Sequence, residues 1–299
     1  MSGMIDIQTV LKARPVSVLP TAQLVIGMPV EQAAELLPRI FNLCRTSQST
    51  AARLAFGLPL APDAERKLAQ DIFKDHVLKV ALKWPMHFGE VAMSLPKGWQ
   101  AAPDMLRYTL FGPTETLPDD FDGFWALLDR RDGVGQVLSR LRGAFAPFEA
   151  ASAPLPFACV NSAFSVTVQE NSVAARQASH PVLQQIERVL GRGPLWRAAA
   201  VVYDMESCLD ETLPPAALVG PGHAIVPASR GLYAVEATVK DGIVSAFHRI
   251  TPTDHLLAQK GTLQQSLETL TPKNRALAPL VVDVLDPCVP VKLEEARHA

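Results

Sequence analysis

The chain has 299 residues, 48% of them hydrophobic, and balances 28 lysines and arginines against 30 aspartates and glutamates for a formal charge of -2. A chain of this length and composition buries a substantial core and is neither disordered nor fibrous. No basic run stands out against nucleic acid phosphates or acidic lipid, and no apolar stretch approaches the ~18 residues of a membrane span, so neither nucleic acid nor membrane is expected as a partner.

From Pro29 onward Ala33, Leu36, Leu37, Ile40, Phe41 and Cys44 recur at helical spacing, which places Cys44 on the apolar face of a helix or just past its end. A second helical stretch covers 47–56. Pro62 and Asp63 suit a first turn, and Ala69, Ile72, Phe73, His76, Val77, Val80, Ala81 and Trp84 then form one apolar stripe with Asp75 at its edge. His76 on that stripe reads as a satisfied core histidine. The weakest pattern lies at 85–118. Further helices are expected over 121–128, 135–145, 181–190 and 194–208. Gly191-Arg192-Gly193-Pro194 lacks the lysine and hydroxyl of a phosphate loop and reads as a helix stop.

The C-terminal third changes character. Two β-rich runs, 232–239 and 243–250, are joined through Asp241-Gly242, a strong hairpin signal. With those two as the loop residues, Lys240 pairs with Ile243, and the same register sets Arg230 opposite Thr253 at the open end of the ribbon. A final helix over 275–285 carries Leu277, Leu280, Val281 and Val284 on one face. Pro287 pushes Asp286 out of the helical region and presents Cys288 on the turn.

Cys44, Cys159, Cys208 and Cys288 are too scattered for a disulfide framework or a paired-cysteine zinc site. Residues 1–16 lack the compact apolar core of a signal peptide, and a soluble cytoplasmic protein with reduced thiols is expected. Cys159 reads as a core residue and Cys208 as structural, although Glu206 and Asp210 give Cys208 the neighbours of a metal ligand. His298 reads as a solvated tail residue.

Several motifs in order carry a resemblance. Arg39-Ile-Phe-Asn-Leu-Cys44-Arg-Thr-Ser-Gln48 resembles the first cysteine motif of nickel-iron hydrogenase large subunits, R-I-C-G-x-C followed by a serine and a histidine or glutamine. Asp286-Pro287-Cys288-Val289-Pro290-Val291 resembles the second, D-P-C-x-x-C. Between them Lys74-Asp75-His76, Ser229-Arg230-Gly231, the Asp241-Gly242 hairpin and Thr251-Pro252-Thr253 are similar to family segments in the same order. In that family the first cysteine of each pair is a terminal nickel ligand, and the second bridges nickel to an iron carrying carbon monoxide and two cyanides. The resemblance matches Cys44 to a bridging ligand and Cys288 to a terminal one, with Phe41 and Val291 where the other two thiolates would stand.

Nickel in this family needs four soft thiolates, so the resemblance implies no nickel and no hydrogenase activity. Glu294 stands where a histidine is expected. The R-G-x-E stretch is not evident near the N-terminus, the chain is much shorter than an active large subunit, and no long C-terminal extension is expected to be cleaved. These departures, together with Gly27-Met-Pro-Val-Glu31, resemble the HupK/HoxV group of large-subunit-like maturation proteins.

The resemblance implies one α+β, mainly helical domain over 1–299, a reduced large-subunit-like fold with a C-terminal antiparallel β-hairpin, in which 29–56 and 275–299 meet at one site. It implies a non-catalytic scaffold or chaperone for assembly or transfer of the iron-dicyanide-carbonyl fragment. Cys44 and Cys288 would hold iron transiently. Arg230 and Thr253 would donate to the cyanides, and Asp75 and Asp286 would hold the guanidinium. Implied partners are a HypC-like small maturation chaperone and the hydrogenase large-subunit precursor. The alternative is a metal-free interaction protein, an inactive large-subunit decoy that binds maturation factors or precursor. In that case Arg230, Asp75 and Asp286 are a structural salt-bridge network.

Overall fold

The computed structural model describes residues 9–16, 21–40 and 43–297. Its centre is the helix Pro194–Leu209, opened by Pro194 and buried almost all round, with Trp196, Val202 and Met205 out of contact with water. Against it lies the helix Ala64–Leu78, whose Leu68, Ile72, Phe73, His76 and Val77 face inward at helical spacing. This helix passes into a π-turn, Lys79–Lys83, and ends with Trp84–Met86. Helices Phe121–Arg130, Gly135–Ala144 and Pro181–Leu190 close the same core within two residues of their expected bounds. The stretch 85–118 is mostly irregular, with short helical pieces at Pro103–Leu106 and Arg107–Phe111.

The helix Val30–Ile40 buries Val30, Ala33, Ala34 and Leu37 on one face. Phe41 lies outside the described residues. The next helix, Arg45–Ala55, starts immediately after Cys44 and lays its small residues Ala51, Ala52 and Ala55 against a sheet. That sheet is an antiparallel meander, β2 (Ala217–Gly220), β3 (His223–Ala228), β4 (Gly231–Lys240) and β5 (Ile243–Ile250), with the strands adjacent in chain order. Its first two strands carried no expected signal.

The β4–β5 hairpin closes on Asp241 and Gly242, both at positive φ (50° and 74°), and Lys240 pairs with Ile243. The register inferred for its far end is corrected. The pairing slips between Val239 and Thr238, where Ser245 is left over and its hydroxyl donates to the Thr238 carbonyl at 3.0 Å. Pairing stops at Ala234 and Ile250, and the chain turns into the helix Pro252–Leu257, capped by Thr251 and Asp254. Arg230 therefore does not face Thr253 across a ribbon. It sits with Ser229 in the two-residue turn between the paired residues Ala228 and Gly231. Gly231 is at φ 144°, and a Cβ there would come within 2.6 Å of Asn171 Oδ1.

The helix Thr262–Glu268 and a 3₁₀ turn, Pro272–Leu277, lead into the last helix, Ala278–Leu285. Asp286 ends that helix in the left-handed region at φ 50°, ψ 61°, as its position before Pro287 requires it to leave right-handed helix. After Cys288 the chain forms β6 (Val291–Arg297), antiparallel to β1 (Thr9–Pro15), and this ribbon packs on the helices 252–257 and 262–268. Among the described residues no helix is long and apolar enough to cross a membrane.

Candidate functional site

Cys44 precedes its helix in the left-handed conformation, φ 51°, ψ 38°, and its side chain caps none of the helix N–H groups. The thiol points instead to the β3–β4 turn, 3.3 Å from Ser229 Oγ, and receives Arg230 Nη1–H at 3.2 Å. Ser229 donates its hydroxyl proton to Asp75 Oδ2 at 2.7 Å, so its oxygen is left to accept from the Cys44 thiol and from Arg230 Nη1 at 3.1 Å.

Arg230 binds the end of the last helix with its other edge. Nε donates to the Asp286 carbonyl at 3.0 Å and lies 3.1 Å from Asp286 Oδ2, while Nη2 donates to Oδ1 at 3.2 Å. Asp75 Oδ2 is 3.5 Å from Nη1. Burial works against the guanidinium charge, but Asp286, Cys44 and Asp75 outweigh it and raise its pKa above the ordinary value. Burial likewise opposes the Asp286 carboxylate, and Lys79 and Arg230 reverse that effect and hold it below the usual range. Lys79 is part of the assembly: Nζ is 2.7 Å from Asp286 Oδ2 and donates to the Ser229 carbonyl at 3.0 Å. It ties the turn to the helix end. Lys79 and Ser229 were not singled out from the sequence, although Lys79 follows Asp75 by one helical turn and Ser229 adjoins Arg230.

Cys288 is half-buried, and its backbone N–H donates to Thr253 Oγ1 at 2.9 Å. Burial pushes its thiol pKa up, against the Thr253 hydroxyl and the charges of Arg230 and Arg249. Cys44, Cys288, Arg230 and Thr253 all line one cavity of about 530 Å³, with Arg249 and Gln48 beside them and Ile40, Leu43 and Pro290 as apolar wall. Asp75 is outside that cavity and lines a smaller one, of about 280 Å³, that reaches Cys44 from the other side. Cys44 and Cys288, from distant parts of the chain, thus line one cavity, Arg230, Asp75 and Asp286 come together, and Thr253 joins them through Cys288 rather than by strand register.

Other residues fall elsewhere. Val291 belongs with Leu257 and Leu293 to the apolar residues packed on a second core cluster, and it is not among the residues that line the cavity. Glu294 is paired with Arg14 and Lys292 at the surface. Cys208 is buried, and burial holds its thiol pKa well above the ordinary value. The reading of Cys159 as core is corrected: it is exposed, in an irregular loop, and hydrogen bonding to Ser162 lowers its pKa. His298 lies outside the described residues. Among the described residues no three or more histidine, cysteine or carboxylate side chains converge as a metal cluster. The cavity thus carries two cysteine thiols, Cys44 and Cys288, in its lining.

The sequence matches no family profile. Over 286 residues, 95% of this chain and 93% of the relative, it is 42% identical to hydrogenase expression/formation protein HupK of Rhodobacter capsulatus. The chain belongs to the HupK family of hydrogenase expression/formation proteins. A shorter match, 35% identity over 71 residues, 22% of this chain and 18% of the relative, is to hydrogenase expression/formation protein HoxV of Cupriavidus necator. In fold this HupK-family chain resembles the Ni-Fe-Se hydrogenase of D. vulgaris Hildenborough, with a TM-score of 0.54 at 12% identity over 94% of this chain and 96% of that one. The architecture is that of a hydrogenase large subunit, α+β and mainly helical.

Proposed function

We propose that this HupK-family protein is a non-catalytic maturation scaffold that holds an iron-dicyanide-carbonyl fragment as cargo and passes it on during assembly of a nickel-iron hydrogenase. Cys44 and Cys288 are the thiolate ligands. Arg230, buried and firmly charged, and the Thr253 hydroxyl donate to the cyanide nitrogens, while Asp75 and Asp286 hold the guanidinium fork. Cargo arrives from a HypC-like chaperone and leaves to the large-subunit precursor, in the cytoplasm. The observation that carries this reading is that the two cysteines, from opposite ends of the chain, line one cavity with Arg230 bonded to Cys44. Val291, which carries no donor atom, stands where the second motif's other thiolate would be.

The test is infrared spectroscopy of protein purified anaerobically from a host with the maturation machinery. Wild-type protein is expected to show cyanide and carbonyl bands with bound iron. Cys44→Ala and Cys288→Ala are expected to lose both while remaining folded, and each is expected to fail in complementing a maturation-deficient strain. Full maturation by the double variant would establish the metal-free interaction protein instead.

A further inference from the structure

A turn of two residues does not by itself determine where the Arg230 guanidinium lies. Donors from outside the sheet hold it. Arg176 donates to the Ala228 carbonyl from Nη1 and Nη2, at 3.3 and 3.2 Å, and from Nη1 to the Gly231 carbonyl at 3.2 Å. One guanidinium thus closes the base of the turn on both strands. Its other edge is fixed by Asp204 of the central helix, which receives Nε at 2.7 Å and Nη2 at 2.5 Å. Gln177 Nε2 and His76 Nε2, each at 2.9 Å, complete the carboxylate's partners. Asp204 and His76 are fully buried. Burial lowers the His76 pKa, and its Nε2–H donates to the carboxylate, whose charge balances Arg176.

We propose that Arg176, anchored by Asp204, is a positioning residue for Arg230. It sets the Ser229–Arg230 turn and thereby where the Arg230 donors meet Cys44, Asp286 and the cavity. What Arg230 does there rests on the cargo reading above; its coupling to Arg176 does not. Lysine at 176 keeps the charge but cannot bridge two strand-end carbonyls and a carboxylate at once.

The experiment uses the full chain labelled with nitrogen-15 and free of cargo, reading the arginine Nε–H resonances, with that of Arg230 assigned through Arg230→Lys. Arg176→Lys is expected to shift or broaden the Arg230 signal. Asp204→Asn is expected to do the same. Gln177→Ala removes an Asp204 contact without touching the turn and is expected to leave the signal in place. In iron-loaded protein, Arg176→Lys is expected to move the cyanide bands while retaining iron. An unchanged Arg230 signal in both folded variants overturns the proposal. So does an equal change in Gln177→Ala, or failure of both variants to fold, since either assigns the pair to stability alone. Missing cyanide bands in wild-type protein would overturn the cargo reading, and the cargo-free resonances would still decide whether Arg176 positions Arg230.

Discussion

Cys44 occupies a position where serine or aspartate would cap a helix, and it does not cap. Its sulfur is turned to Ser229 and Arg230 because the left-handed backbone at this residue redirects the side chain. The thiols therefore differ in chemistry by environment. Cys159 is exposed with a lowered pKa, Cys288 is half-buried with a raised one, and Cys208 is buried and raised furthest. Each pKa unit changes the thiolate fraction by about tenfold below the pKa. At pH 8 iodoacetamide is expected to label Cys159 first, Cys288 more slowly, and Cys208 only on unfolding. Mass spectrometry of digested protein checks the order; Cys288 labelling ahead of Cys159 would contradict the burial argument. Motif spacing made Cys44 and Cys288 legible as candidates. It misread Cys159, because the flanking apolar residues Phe157 and Val160 mimic a core segment.

At the scale of elements, β6 decides what became of the second cysteine motif. Val291 and Leu293 alternate with Lys292 and Glu294, so that the apolar pair packs inward and the charged pair meets solvent. Val291→Cys is expected to leave bound iron unchanged, to recruit no nickel, and to destabilise the chain by about 1 kcal/mol through lost packing. Metal analysis and a denaturant melt check this, and increased metal in the variant would show that β6 yields to the site. The alternation was readable in the sequence, but β1 pairs with it from the other end of the chain, and a lone four-residue pattern does not announce its partner. The Ser245 bulge was hidden for a different reason. One hydroxyl bonding to one carbonyl shifts the register, and hairpin signals specify only the turn.

For the whole molecule, most of the buried titratable groups make stability fall as pH drops below neutrality, while Glu206, whose pKa burial raises, acts with the opposite sign. His76, His180 and His255 have pKa values lowered by burial, so below about pH 6.5 the unfolded chain binds protons that the folded chain refuses. Asp286, Glu170 and Asp204 are held below the carboxylate range against their burial, so their stabilisation is full above about pH 4 and is lost as pH falls further. Thermal melts are expected to be flat from pH 8 to about 6.5, to decline from there, and to fall steeply below about 4. His76→Gln is expected to flatten the first decline; a melting temperature that rose between pH 6.5 and 5 would reverse the sign. The sequence alone determined the longer helices, through apolar spacing, the Asp241-Gly242 turn, through backbone preference, and the residue types available to a site. Those signals act over a few positions. Only the tertiary structure decided that Cys44 and Cys288 share a cavity, that Lys79 and Arg176 hold the Arg230 turn, and that Val291 packs on a second core cluster. The hydrogen bonds that link Cys44, Arg230 and Asp286, and Thr253 to Cys288, join residues 35 to 186 positions apart, and they follow from how separately formed elements pack.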